Sequence, residues 1–232
     1  MARYFEGSRF KNNPKFLVVI IPEREGEIMK DTIIVMKIGG SCLTKADSME
    51  KLVRIINDHK DHHVVFVASG FSGVTDKLID TANTAAEPNG KYKEKLSELK
   101  ALHDEINKEL FKGKIIHLEN TADFINNVIR SLEEICEQIS DYGMEKFRMD
   151  YVMSFGEKLS TFMMAEFLTS QGFDSVFLPA DQLVVTDNRF GNALPIMDFT
   201  KRKVQRQVAQ VIERDAYACI TGFIGFNKQG YT

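Results

Sequence analysis

The chain has 232 residues, 44% of them hydrophobic and 27% charged, which is ordinary for a globular chain and excludes the disordered and collagen-like classes. Thirty basic against thirty-three acidic side chains leave a net charge of -3, so no global positive field draws nucleic acid or an anionic membrane, and the expected ligand is small. Cys42, Cys136 and Cys219 stand too far apart for a disulfide framework or a zinc-ligand spacing and fit a reducing, cytoplasmic compartment.

Near the start, the apolar run FLVVIIP at residues 16–22 is far short of the ~20 residues that span a bilayer. The EREGE that follows offers no small-residue cleavage site, so a secretory signal is not expected either. EREGE just before Met29 is also what purine-rich codons upstream of a bacterial start would encode. Residues 1–28 are therefore expected to be a non-native or disordered leader, and residues 29–232 the folded part.

From Thr32 onward, short apolar runs alternate with longer amphipathic segments, the pattern of an α/β fold with a mainly parallel sheet covered by helices on both faces. TIIVMK reads as the first buried strand. DSMEKLVRIINDH reads as a helix with Met49, Leu52, Val53, Ile55 and Ile56 mostly on one face. HVVFVAS is the second strand, and GVTDKLIDTANTA starts the second helix. Tyr92, Leu96, Leu99, Leu102, Ile106 and Leu110 recur every three to four residues, as do Phe124, Val128, Leu132, Ile135 and Ile139, which predicts a helical hairpin beside the sheet. A further helix is expected from about Asp150 to Ser170, interrupted or initiated around SFGEKLS and stopped by Gly172. DSVFLPA and QLVV read as short strands, TDNRFGNALP as loop, DFTKRKVQRQVAQVIERD as an amphipathic helix and AYACITGFIG as the last strand. With no internal repeat and no low-complexity linker, one domain is the simplest organisation.

Three stretches could carry chemistry. In KIGGS, Gly39 and Gly40 follow a strand and lack the Cβ atoms that would keep an anion from backbone N–H groups, Ser41 adds a hydroxyl, and Lys37 a positive charge. Neither GxxxxGK[ST] nor GxGxxG occurs, and the stretch reads equally as a tight strand-to-helix turn whose lysine reaches solvent. In VASGFSGVTDKL, Ser69, Ser72 and Thr75 could gather around a carboxylate at a helix N-terminus, or Ser72 or Thr75 could simply cap that helix. In MSFGEKLST, Glu157 lies among Tyr151, Val152, Met153, Phe155, Leu159 and Phe162. A carboxylate buried there needs a cation, and an amino group on a substrate would supply one. Ser160 and Thr161, one turn on, carry no charge that could serve instead. HKDHH, with His59, His62 and His63, reads as a surface loop, and Met153, Met163 and Met164 as core.

Taken together these stretches resemble the aspartate kinases of the amino acid kinase superfamily, from about Ile33 to the last residue. KIGGSC is similar to the family's KFGGTS, VASGFSGVTDKL to VSAMxxxTNxL, SFGEKLS to SFGERLS, VTDNRFGNA to TDxxFGxA, and TGFIGFNKQGYT to its TGFIG segment. The resemblance implies a three-layer α/β/α amino acid kinase fold, and transfer of the γ-phosphoryl group of ATP, with Mg2+, to the side-chain carboxylate of L-aspartate. It implies that Lys37 steadies the phosphoryl group, that Gly39, Gly40 and Ser41 cradle phosphate oxygens, and that Thr75, Glu157 and, less directly, Ser69 hold aspartate, Glu157 through its amino group. No metal ligand is identifiable. The family forms homo-oligomers and continues beyond this point into TTLGRGGSD, nucleotide-binding segments and ACT regulatory domains. The fold is thus expected to be C-terminally incomplete, the 232 residues alone to have little or no kinase activity, and the last strand to present an unpaired edge prone to association. The alternatives are the N-terminal piece of a bifunctional aspartate kinase and homoserine dehydrogenase, a kinase for glutamate or acetylglutamate, and a non-catalytic aspartate-binding remnant.

Overall fold

The computed structural model describes residues 33–40, 43 and 46–232, with backbone alone for residues 46 and 47 and for two strands at Arg3–Phe5 and Phe16–Ile21. Ser41 and Cys42, and most of the segment read as a leader, lie outside the described residues. In chain order the elements are β1 (Arg3–Phe5), β2 (Phe16–Ile21), β3 (Ile33–Ile38), α1 (Ala46–Asp58), β4 (His63–Ala68), α2 (Val74–Ala85), α3 (Tyr92–Leu110), α4 (Ile115–Tyr142) and α5 (Lys146–Ser170). They continue as β5 (Ser175–Leu178), β6 (Val185–Thr186), α6 (Met197–Ile212), β7 (Tyr217–Thr221) and β8 (Phe226–Asn227).

The main sheet has the order β1-β2-β3-β4-β7-β5. β3, β4, β7 and β5 run parallel, while β2 lies antiparallel to β3 and β1 to β2. Because side chains alternate along a strand, each apolar run feeds two cores. Ile34, Met36, Ile38, Val64, Phe66, Ala68 and Cys219 point to the face covered by α1–α5. Val65, Ala218 and Ile220 point to the opposite face, where Val208 and Val211 of α6 meet them. This is the three-layer α/β/α arrangement.

Helix α5 runs through the middle of the first core, so it is apolar on nearly every side: Val152, Phe155, Leu159, Met163, Met164 and Leu168 are all buried. It passes through SFGEKLS without a break and starts at Lys146 rather than Asp150. Its end is a Schellman motif, in which the Gly172 N–H bonds to the Thr169 carbonyl and the Phe173 N–H to the Leu168 carbonyl, with φ +91° at Gly172. The α3–α4 hairpin packs outside α5, as its periodicity requires.

Two strand readings need correction. QLVV is not one strand: Ala180–Gln182 form a 3-10 turn, and only Val185–Thr186 pair, with β8, in a separate two-stranded sheet. Thr200 fixes this arrangement, its hydroxyl accepting from the Val185 N–H at 3.0 Å. The last long strand, β7, is not at an edge. It lies between β4 and β5, which satisfy both of its sides, and β5 takes the edge position. The reason is non-local, since the parallel crossovers through α5 and α6 place β7 inside.

Candidate active site

A cleft of about 1590 Å³ runs from the carboxyl ends of β3, β4 and β7 along the sheet face beneath α6, where Val35, Val67 and Val208 line it; its strand-end part is bordered by the β4–α2 turn, α5, the loop after β6 and the turn after β7. Two glycine-rich turns meet at its floor. A Cβ on Gly40 would stand 2.7 Å from the Gly70 carbonyl oxygen, so the turn after β3 and the turn after β4 touch backbone to backbone. The β3–β4 parallel pairing carries both to the same end of the sheet.

The β4–α2 turn also presses against α5. A Cβ on Gly70 would meet the Gly156 carbonyl carbon at 3.2 Å, and one on Gly156 would meet Leu78 Cδ1 at 3.3 Å and Val74 Cγ1 at 3.5 Å. A mid-helix glycine costs about 1 kcal/mol relative to alanine. Here it lets the turn approach closely enough for the Gly70 N–H to donate to Glu157 Oε1 at 3.4 Å. The Ser160 hydroxyl, one helical turn further, donates to the Ser69 carbonyl at 2.7 Å and holds the same turn from the other side.

Glu157 is 8% exposed. Burial pushes its carboxyl above the ordinary value, against a smaller opposing pull from backbone N–H groups including that of Gly70. No basic side chain among the described residues pairs with it. The adjacent Lys158 is engaged by Asp181 at 2.6 Å and lies against the rings of Tyr151 and Phe155. The cleft thus holds a buried carboxylate with no positive partner among the described residues.

Helix α2 begins at Gly73, which is in the left-handed conformation at φ 79° and offers no side-chain cap. The reading of Ser72 or Thr75 as the cap therefore fails. The Val74 N–H is taken by the Phe71 carbonyl at 3.1 Å, and no side chain caps the N–H groups that follow it, at a helix start whose Gly73 and Thr75 border the cleft, an arrangement suited to an anion. Ser69, Ser72 and Thr75 all line the cleft, as do Gly40 and Glu157. Lys37 and Gly39 do not line it. Lys37 is exposed at the end of β3, its ammonium 4.7 Å from the centre of the Phe223 ring, and Phe223 does border the cleft. Ser41 lies outside the described residues. HKDHH forms the turn from α1 into β4, with a contact between His59 Nδ1 and the Ile55 carbonyl at 2.8 Å.

Several contributors were given no role from the sequence: Gly70, Asp150, Ser154, Thr186, Asp187 and Phe190–Ala193, and Thr221–Phe223. Gly70 and Glu157 are 87 positions apart, a pairing no local pattern encodes. The last two stretches stand out in the sequence only through the similarity of VTDNRFGNA and TGFIG to a family's motifs. Among the described residues no group of three or more His, Cys, Asp or Glu side chains comes together to hold a metal ion, and no helix is long and apolar enough to cross a membrane.

The family model described as the amino acid kinase family matches residues 32–231. The chain is similar to aspartokinase 2, chloroplastic, of Arabidopsis thaliana, 29% identical over 202 residues that cover 84% of this chain and 36% of the relative. It is similar to the aspartokinase of Chlamydia pneumoniae, 27% identical over 199 residues, 86% of this chain and 40% of the relative. Among solved structures, E. coli aspartokinase III in complex with aspartate and ADP superposes with a TM-score of 0.74 at 21% identity, covering 86% of this chain and 42% of that one. The chain therefore spans about two fifths of the length of the relatives it matches. With a family model running through β3 to the last residues and the same fold in the solved structure, this chain belongs to the amino acid kinase family.

Proposed function

We propose that this chain carries the aspartate-binding half of an aspartate kinase, which transfers the γ-phosphoryl group of ATP to the side-chain carboxylate of L-aspartate to give 4-phospho-L-aspartate. The observation that carries the reading is Glu157: a buried carboxylate at the strand ends, with one long N–H contact and no basic partner among the described residues. The amino group of an amino acid is the cation that such a group selects. The relatives are aspartokinases, and the solved structure that shares the fold holds aspartate and ADP.

In this reading Glu157 binds the substrate's ammonium, and Thr75 with the uncapped N-terminus of α2 receives a carboxylate. Ser69 contributes to the same pocket. Held this way, the side-chain carboxylate of aspartate is left free to attack the γ-phosphorus as the bond to the leaving ADP oxygen breaks. Lys37 at the rim balances charge on the transferring group, and Gly39, Gly40 and Ser41 give phosphate oxygens access to backbone N–H groups. Among the described residues no group of three or more His, Cys, Asp or Glu side chains gathers to hold Mg2+.

The 232 residues by themselves are proposed to bind L-aspartate yet turn over little or no ATP. Trapping of the acyl phosphate with hydroxylamine in the presence of MgATP tests the second statement, and calorimetric titration with L-aspartate the first. Abundant aspartyl hydroxamate would overturn the one, and absence of heat at millimolar aspartate the other.

A further inference from the structure

Helix α5 presents a second carboxylate to the cleft. Asp150 lies seven residues before Glu157, with Ser154 between them, on the stripe of α5 that lines the opening. Two helical turns separate the two carboxylates, about 10 Å along the axis. Asp150 Oδ2 accepts the Gly191 N–H at 2.7 Å, across 41 positions of sequence.

The segment it touches is a preformed loop. Asp187 Oδ1 accepts from the N–H groups of Arg189 at 3.2 Å and Leu194 at 3.1 Å, and its Oδ2 from Arg189 Nε at 2.7 Å. A bridge between Thr186 and Pro195 closes the base of the loop, and Gly191 turns at φ +80°. The Phe190 ring rests against Phe147 at 6.0 Å and Tyr231 at 6.0 Å, but these contacts hold the loop only beside the start of α5. Gly191, Asn192 and Ala193 border the cleft, and the only hydrogen bond from their backbone to α5 ends on Asp150. A half-buried carboxylate is a costly choice for a structural tie. Burial pushes the Asp150 carboxyl up from its ordinary value, against a smaller pull from the Gly191 N–H and from Lys146, which is exposed.

We propose that Asp150 is a positioning residue that, by accepting the Gly191 N–H, holds the 187–194 loop as a wall of the cleft and so closes the pocket whose amino-group anchor is Glu157. The pocket's occupant, L-aspartate, rests on the aspartate-kinase reading; the latch does not. Gly191 is exposed, so loss of this charge-assisted bond corresponds to about tenfold at most.

The test uses the 232-residue chain with Asp150→Ala, Asp150→Asn and Asp150→Ser, read by amide hydrogen exchange of residues 187–194 and by calorimetry with L-aspartate. The serine hydroxyl is too short to reach Gly191, so Asp150→Ser stands in should Asp150→Ala not fold. The expected result is exchange about tenfold faster in the loop for Asp150→Ala or Asp150→Ser, with aspartate bound about tenfold more weakly. Asp150→Asn, which keeps an acceptor oxygen, should restore most of both. Unchanged loop exchange in Asp150→Ala or Asp150→Ser would overturn the latch, and faster exchange with undiminished aspartate affinity would overturn its role in the pocket. If the parent chain takes up no aspartate, that reading fails by itself and loop exchange still decides the latch.

Discussion

Replacing Glu157 by glutamine separates binding from stability. The side chain keeps its size but loses the charge that the pocket leaves without a partner. An ammonium–carboxylate contact is worth about 1.5–3 kcal/mol, so L-aspartate affinity should fall about ten- to hundredfold. Stability should move the other way. In the parent chain the folded carboxyl titrates above its ordinary value of 4.5 because burial disfavours the charge. Between that ordinary value and the raised one, the folded state holds more proton than the unfolded state, so stability falls as pH rises through this window. Glu157→Gln lacks the titration, and at pH 7 it should be at least as stable as the parent. The advantage should shrink as pH drops towards 4.5, where the parent's carboxyl regains its proton. Calorimetry with L-aspartate and urea denaturation at pH 7 and pH 4 read both effects. A variant that binds aspartate as tightly as the parent, or that is clearly less stable at pH 7, would refute the reasoning.

Gly40→Ala places a methyl group 2.7 Å from the Gly70 carbonyl oxygen, where backbone must move, and should cost about 1–3 kcal/mol in chemical denaturation. Lys37→Met, at an exposed position, should leave stability within about 0.5 kcal/mol and aspartate affinity unchanged, while weakening a fluorescent ATP analogue in direct titration. Leu99→Ala removes a fully buried side chain from the α3 face of the first core and should cost about 2–5 kcal/mol by urea denaturation.

Where local physics decides, the sequence was readable. IIVMKI and HVVFVA are near-continuous apolar runs and became β3 and β4, and the leucine spacing of α3 and α4 left little freedom. Gly156 misled because helix propensity is a weak force inside a core: packing on every side carries α5 through it, and a glycine that suggests a break is the one that admits the β4–α2 turn. The place of β7 depended on strand order, which no single segment encodes, and two-residue strands such as β6 and β8 are too short to leave a period. At the site, Glu157 stood out as a charge in an apolar surround. Its contact with Gly70 and the hold of Asp150 on Gly191 are long-range pairings that only the fold reveals.

The most direct test is a titration of the isotopically labelled chain with L-aspartate, without nucleotide, followed through its backbone amide resonances. Saturable shifts centred on Gly70, Thr75 and Gly191, absent with L-glutamate and lost in Glu157→Gln, are the expected result. No shifts at millimolar L-aspartate, shifts confined to another surface, or an equal response to L-glutamate would contradict an aspartate site at the carboxyl ends of these strands.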